Sequence, residues 1–117
     1  MKEFPFLLYK TEKEDISINA LIKDDSIWLT QKAMAELFGI DKSGISRHLA
    51  NIFETGELDE EVVVAKIATT GPDNKIYQVD YYNLDVIISV GYRVKSQRGT
   101  QFRIWANQIL KEYLLKG

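Results

Sequence analysis

The sequence has no cysteine, a single histidine and no long apolar run, and each scarcity removes a class of function. Without thiols there is neither a disulfide framework nor a thiolate metal site, and nothing points to an oxidising compartment, so a cytoplasmic location is expected. A metal would have to rest on His48 and scattered carboxylates, which lack ligand spacing, so neither a metal nor a cofactor is expected. No stretch approaches the roughly 18 apolar residues of a membrane span. The apolar start, Met1 to Tyr9, is short and carries Lys2 and Glu3, so no membrane partner is expected either. Gly91 and Gly99 lack phosphate-loop spacing, and Gly71 stands in a turn with Pro72, which excludes a nucleotide cradle. A Ser/His/Asp triad would have to use His48, on a helix with another role, and the adjacent Asp59, Glu60 and Glu61 suit a solvated connector better than a catalytic pair. No catalytic residue and no small-molecule substrate emerge, and the chain does not read as an enzyme.

What is present is the balance of an ordinary folded domain: 45% apolar and 27% charged residues over 117 positions. That length fits one domain over 1–117, compact from about Phe6 onward and large enough to bury a core without staples. The net charge of −2 argues against a protein that merely coats nucleic acid. Its distribution is uneven. Residues 54–90 hold eight acidic and two basic side chains, whereas residues 91–117 hold six basic and one acidic, an asymmetry able to orient the domain on a polyanion.

Alternating Ile16, Ile18, Ala20 and Ile22, the turn residues Asp24-Asp25-Ser26, and then Ile27, Trp28 and Leu29 predict a hairpin. Thr30 is suited to cap a short helix with Met34, Leu37 and Phe38 at helical spacing, and Gly39 is suited to end it in the left-handed conformation. A second helix is expected from Asp41 to about Phe53, with Ile45, Leu49, Ile52 and Phe53 on one face. After Gly56 and an acidic connector, β-prone runs at Val62–Thr69 and Lys75–Asp80 bracket Gly71-Pro72-Asp73-Asn74, predicting a second hairpin over 62–80. Two C-terminal helices are expected, at 84–92 with Asn83 as cap and at 100–116 with Thr100 as cap, the latter with Phe102, Trp105, Ile109 and Tyr113 facing the core. The expected fold is α+β: a winged-helix-like domain with a helix-turn-helix, two β-hairpins and a C-terminal helix pair.

The helix-turn-helix expectation covers residues 30–53. Two helices joined by three or four residues cross at a steep angle only if the backbone turns sharply and a small residue sits at the crossing. Gly39 supplies the turn, Ala35 the small residue, and Ile45 the first buried position of the second helix. With Ile45, Leu49 and Ile52 inward, the outward face carries Lys42, Ser43, Ser46, Arg47, Ala50 and Asn51. Ser43, Ser46 and Arg47 lie in the first two turns, where a recognition helix meets base edges, and Arg47 is the candidate for a two-pronged guanine contact. Gln31, Lys42 and Asn51 are candidates for phosphate. Lys66 and Lys75 would reach the DNA backbone from the hairpin, which either takes the place of a wing, as its chain position suggests, or only completes the sheet. Arg93, Lys95 and Arg98, with Arg103, form either a phosphate clamp or a solvated basic surface. His48 is expected as a boundary residue beside the core. The expected partner is double-stranded DNA, bound by a homodimer because one helix makes few contacts. The alternative is a protein-interaction module using the same helix face.

The run Ser89-Val90-Gly91-Tyr92-Arg93-Val94-Lys95-Ser96, continuing through Thr100-Gln101-Phe102-Arg103-Ile104-Trp105-Ala106, resembles the RhuM virulence-protein family, and Tyr81 to Asp85 and Trp28 to Gln31 fit as well. The order of hairpin, helix pair, hairpin and closing helix with Phe102-x-x-Trp105 is also similar, more loosely, to the N-terminal domain of BRO-type phage antirepressors. These resemblances imply DNA binding and transcription regulation in a mobile-element, phage or virulence setting, and imply no catalytic residues.

Overall fold

The computed structural model describes residues 3–10, 15–24, 26–104 and 107. The elements run β1 (Glu3–Lys10), β2 (Asp15–Lys23), β3 (Ser26–Trp28), α1 (Gln31–Phe38), α2 (Lys42–Glu54), α3 (Glu60–Val63), β4 (Val64–Thr70), β5 (Ile76–Tyr82) and α4 (Leu84–Arg93), followed by a helical segment over 97–104, here α5. The chain is therefore α+β.

The first sheet has three antiparallel strands in the order β1-β2-β3, not the two of a hairpin. Pairs run from Glu3↔Leu21 to Lys10↔Asp15, with a shift between Leu7 and Tyr9, and Leu21↔Trp28 continues the sheet into β3. β4 and β5 form a separate antiparallel pair in unbroken register from Val64↔Tyr82 to Thr70↔Ile76. Among the described residues one backbone bridge joins the two sheets: Leu29 and Tyr82 exchange hydrogen bonds of 2.9 and 2.8 Å. This bridge ties the root of the β4–β5 hairpin to the residue just before the α1 cap.

Two departures follow from local capping chemistry. Val62 and Val63, expected in a strand, lie in α3, because the Asp59 carboxylate accepts from the Glu61 N–H at 3.0 Å and Asp59, Glu60 and Glu61 suit a helix start. The last helix begins before Thr100. Ser96 Oγ accepts from the Gly99 N–H at 2.9 Å, and Thr100 instead returns its hydroxyl to the Ser96 carbonyl. Beyond 104 residue 107 alone is described, as helix, and the rest of the helix expected to 116, with Trp105, Ile109 and Tyr113, lies outside the described residues.

The core is contiguous. Met34, Leu37 and Phe38 of α1 meet Ile45, Leu49 and Ile52 of α2, Val86, Ile87 and Val90 of α4, and Phe102 of α5, closed below by Ile18, Ala20 and Leu29. Phe38 and Phe102 meet edge to face, ring centroids 5.1 Å apart. A smaller cluster of Leu21, Trp28 and Tyr81, flanked by Ala65, Ile67 and Val79, fastens one face of the hairpin to the first sheet.

Candidate nucleic-acid interface

α1 is defined at both ends by its own sequence. The Thr30 hydroxyl accepts from the Ala33 N–H at 3.1 Å, and Gly39 adopts φ 66°, ψ 38° with its N–H on the Ala35 carbonyl at 2.9 Å. Asp41 stands at the start of α2 in extended conformation, without a side-chain capping bond. Gly44, in the first turn of α2, is buried against the turn, where an added Cβ would lie 3.2 Å from Ile40 Cδ1. Gly44 thus leaves room for the Ile40 side chain of the turn to fold under the start of α2, a contribution that periodicity alone did not reveal.

The faces of α2 separate as its 3.6-residue period requires. Ile45 and Ile52 are fully buried and Leu49 nearly so, while Lys42, Ser43, Ser46, Arg47, Ala50 and Asn51 are exposed. Arg47 is therefore exposed on a surface shared in the first two turns with Lys42, Ser43 and Ser46, its Nη2 lying 3.7 Å from where a Cβ on Gly44 would stand. Asn51 also takes part in internal structure, accepting from Arg93 Nε at 3.3 Å. His48 is half-buried at the edge of this face. Burial, then the positive charges of Arg93 and Arg47, holds its imidazole below the usual value, so it is neutral at neutral pH.

Beside the N-terminal ends of α1 and α2 the hairpin encloses a groove of about 480 Å³, lined by Thr30, Gln31, Lys32, Lys42, Gln78, Val79, Asp80 and Tyr82. Burial, followed by the Asp80 carboxylate, pushes the Tyr82 phenol up, so it stays neutral. Lys32, Gln78 and Asp80 were not singled out from the sequence. The alternation of Gln78, Asp80 and Tyr82 marks a common strand face, but only the fold reveals that this face looks towards α2.

The basic segment after α4 divides by task. Arg93 is partly buried and holds Glu57 through Nη2 at 2.7 Å, with Nη1 on Ser89 Oγ at 2.7 Å, and Glu57 also accepts from Ser89. The Arg93 guanidinium, followed by the Ser89 hydroxyl, keeps the Glu57 carboxyl below the ordinary range. Arg98 Nη1 donates to the Glu36 carbonyl at 2.7 Å, Ser96 Oγ donates to the Phe38 carbonyl at 2.6 Å, and Arg103 Nη1 donates to the Gly91 and Val94 carbonyls at 2.8 Å. These are carbonyls left over at the C-terminal ends of α1 and α4, where donors and cations complement the dipole. Of the four basic residues expected as a clamp or a solvated surface, Arg93, Arg98 and Arg103 thus serve internal contacts, and Lys95 is exposed. Among the described residues no group of three or more His, Asp or Glu could hold a metal, and no helix is long and apolar enough to cross a membrane.

No curated protein and no solved structure matches the chain. The residues behind the sequence resemblance from Tyr81 to Ala106 fall within a family match, whereas Trp28 to Gln31 falls outside it. Residues 62–117, from the end of α3 onward, match the family model of the Virulence protein RhuM family, which is what this stretch is similar to.

Proposed function

We propose that this chain is a winged-helix-like domain that binds double-stranded DNA in a sequence-specific manner, as a homodimer and as a cytoplasmic regulator of transcription in a mobile-element or virulence setting. It acts by binding, without catalysis. The observation that carries the reading is the outward face of α2: Lys42, Ser43, Ser46, Arg47 and Asn51 exposed behind a glycine-hinged turn, while Ile45, Leu49 and Ile52 seat the helix. Ser43, Ser46 and Arg47 take the base-edge positions, and Gln31, Lys42 and Asn51 the phosphate positions. The Leu29–Tyr82 bridge supports the β4–β5 hairpin as the wing, since it fixes the hairpin root beside the start of α1. Lys95 is the member of the basic segment best suited to phosphate; Arg93 and Arg98 would contribute field more than contact.

Fluorescence anisotropy with a mixed-sequence duplex pool at low salt tests this. Binding should weaken steeply with added salt. Arg47→Ala should erase discrimination among sequences, costing about 1–3 kcal/mol on the preferred site. Lys95→Ala should weaken all duplexes alike and flatten the salt slope by about one ion. Absence of binding at tens of micromolar protein would turn the assignment towards the second reading, a protein-interaction module. Expected from the sequence on the α2 face, that reading is supported instead at α4, where the exposed Tyr92 lines a cleft with Leu58 and Ile88.

A further inference from the structure

Ile76 opens β5 at the tip of the hairpin and is 76% exposed, more than any other large apolar side chain among the described residues. Strand alternation sets it on the face of Gln78, Asp80 and Tyr82. Gln78, Asp80 and Tyr82 line the groove whose other wall includes Lys42, the first residue of α2. Ile76 therefore extends the side of the hairpin that looks towards the recognition helix.

The tip that carries it is braced. The Gly71 N–H donates to the Lys75 carbonyl at 2.8 Å and the Asn74 N–H to the Gly71 carbonyl at 3.0 Å, with Asn74 itself at φ 64°. Asp73 accepts from the Lys75 N–H at 3.1 Å and from the Tyr77 hydroxyl, and the Tyr77 ring closes over Gly71, where even a Cβ would come within 2.7 Å. A turn bonded this way holds its apolar residue in place before any partner arrives, which lowers the ordering cost of insertion.

We propose that Ile76 is an apolar wedge for the minor groove next to the major groove entered by α2, with Lys75 on the flanking phosphates; this rests on the DNA-binding reading above. From Tyr82, held by the Leu29 bridge, to Ile76 is six strand steps, a reach of about 20 Å at roughly 3.4 Å per residue. Adjacent grooves lie about half of a 34 Å helical turn apart, so the tip reaches the next groove. The minor groove, only about 6 Å wide, excludes a helix but admits a narrow turn with one branched side chain. Asp80 in the middle of β5 repels phosphate from the strand itself, so contact is confined to the tip. Isoleucine inserted there parts a base step and kinks the duplex, and it favours pairs without the guanine 2-amino group on the groove floor.

The test uses the full chain with two duplex probes, poly(dI-dC) and poly(dG-dC). They present the same acceptors, N7 and O6, in the major groove and differ in the minor groove by that amino group. Wild-type protein should bind the inosine duplex at least about fivefold more tightly. Ile76→Ser should bring the two within about twofold and Ile76→Leu should retain the difference, with unchanged melting temperatures because the residue is exposed. Equal binding of both probes by wild type, or a preference that survives Ile76→Ser, overturns the wedge and leaves DNA binding standing. Failure to bind either probe or any mixed duplex overturns both.

Discussion

Gly91→Ala sets helix propensity against packing, and the geometry decides between them. Gly91 lies inside α4, where alanine would ordinarily stabilise by about 1 kcal/mol. Its added Cβ, however, would sit 2.6 Å from both Cδ2 and Cε2 of Phe102 and 3.2 Å from Cε1 of Phe38. Ordinary contact begins at 3.4 Å, so the Phe102 ring must retreat by about 1 Å. It has nowhere to go: Phe102 is 2% exposed and stands edge-on to Phe38, itself fully buried. Overpacking of this kind costs about 1–3 kcal/mol, and a boxed ring belongs near the upper end, leaving a net loss of about 2 kcal/mol after the propensity gain. For a domain of this size that lowers Tm by about 6–12 °C, measurable by circular dichroism. The double variant Gly91→Ala/Phe102→Leu should lose less than the two single losses combined, since the smaller side chain vacates the contested space. A Gly91→Ala protein that melts at or above the wild-type temperature would refute the reasoning, because it would mean that the ring has slack and propensity wins.

Three further outcomes are expected. Gly39→Ala should cost about 1–2 kcal/mol from the left-handed backbone, and Gly39→Asn distinctly less. Both place a Cβ beside Arg98 Cδ, so their difference in denaturant midpoint isolates backbone strain, and equal losses would assign the cost to the Arg98 contact instead. His48, whose imidazole is held below its usual value of 6.5, is protonated more readily in the unfolded chain than in the folded one. Stability should therefore fall as pH drops through the unfolded value of 6.5, and His48→Gln should flatten that decline; identical pH profiles of the two proteins would remove His48 from the balance. Glu57 acts in a separate window: its lowered carboxyl contributes stability that is lost only below its ordinary value of 4.5.

The sequence alone determined the parts governed by neighbours along the chain. Thr30 before an apolar-periodic run and Gly39 after it bound α1 through bonds three and four residues long, and the spacing of Ile45, Leu49 and Ile52 dictates which α2 side chains face outward. Asn83 caps α4 through Val86 as its position suggests. Tertiary structure decided whatever depends on residues far apart. Pairing of β1 with β2 turned a hairpin into a three-stranded sheet, because the alternation that marks a strand does not say whether its free edge has a partner. Arg93, Arg98 and Arg103 read as loose positive charge until the fold brings the Glu57 carboxylate and the terminal carbonyls of α1 and α4 within reach. A local bond is specified by a few consecutive residues and survives any rearrangement of the rest, whereas a donor meeting an acceptor some sixty positions away exists only because the core has already closed.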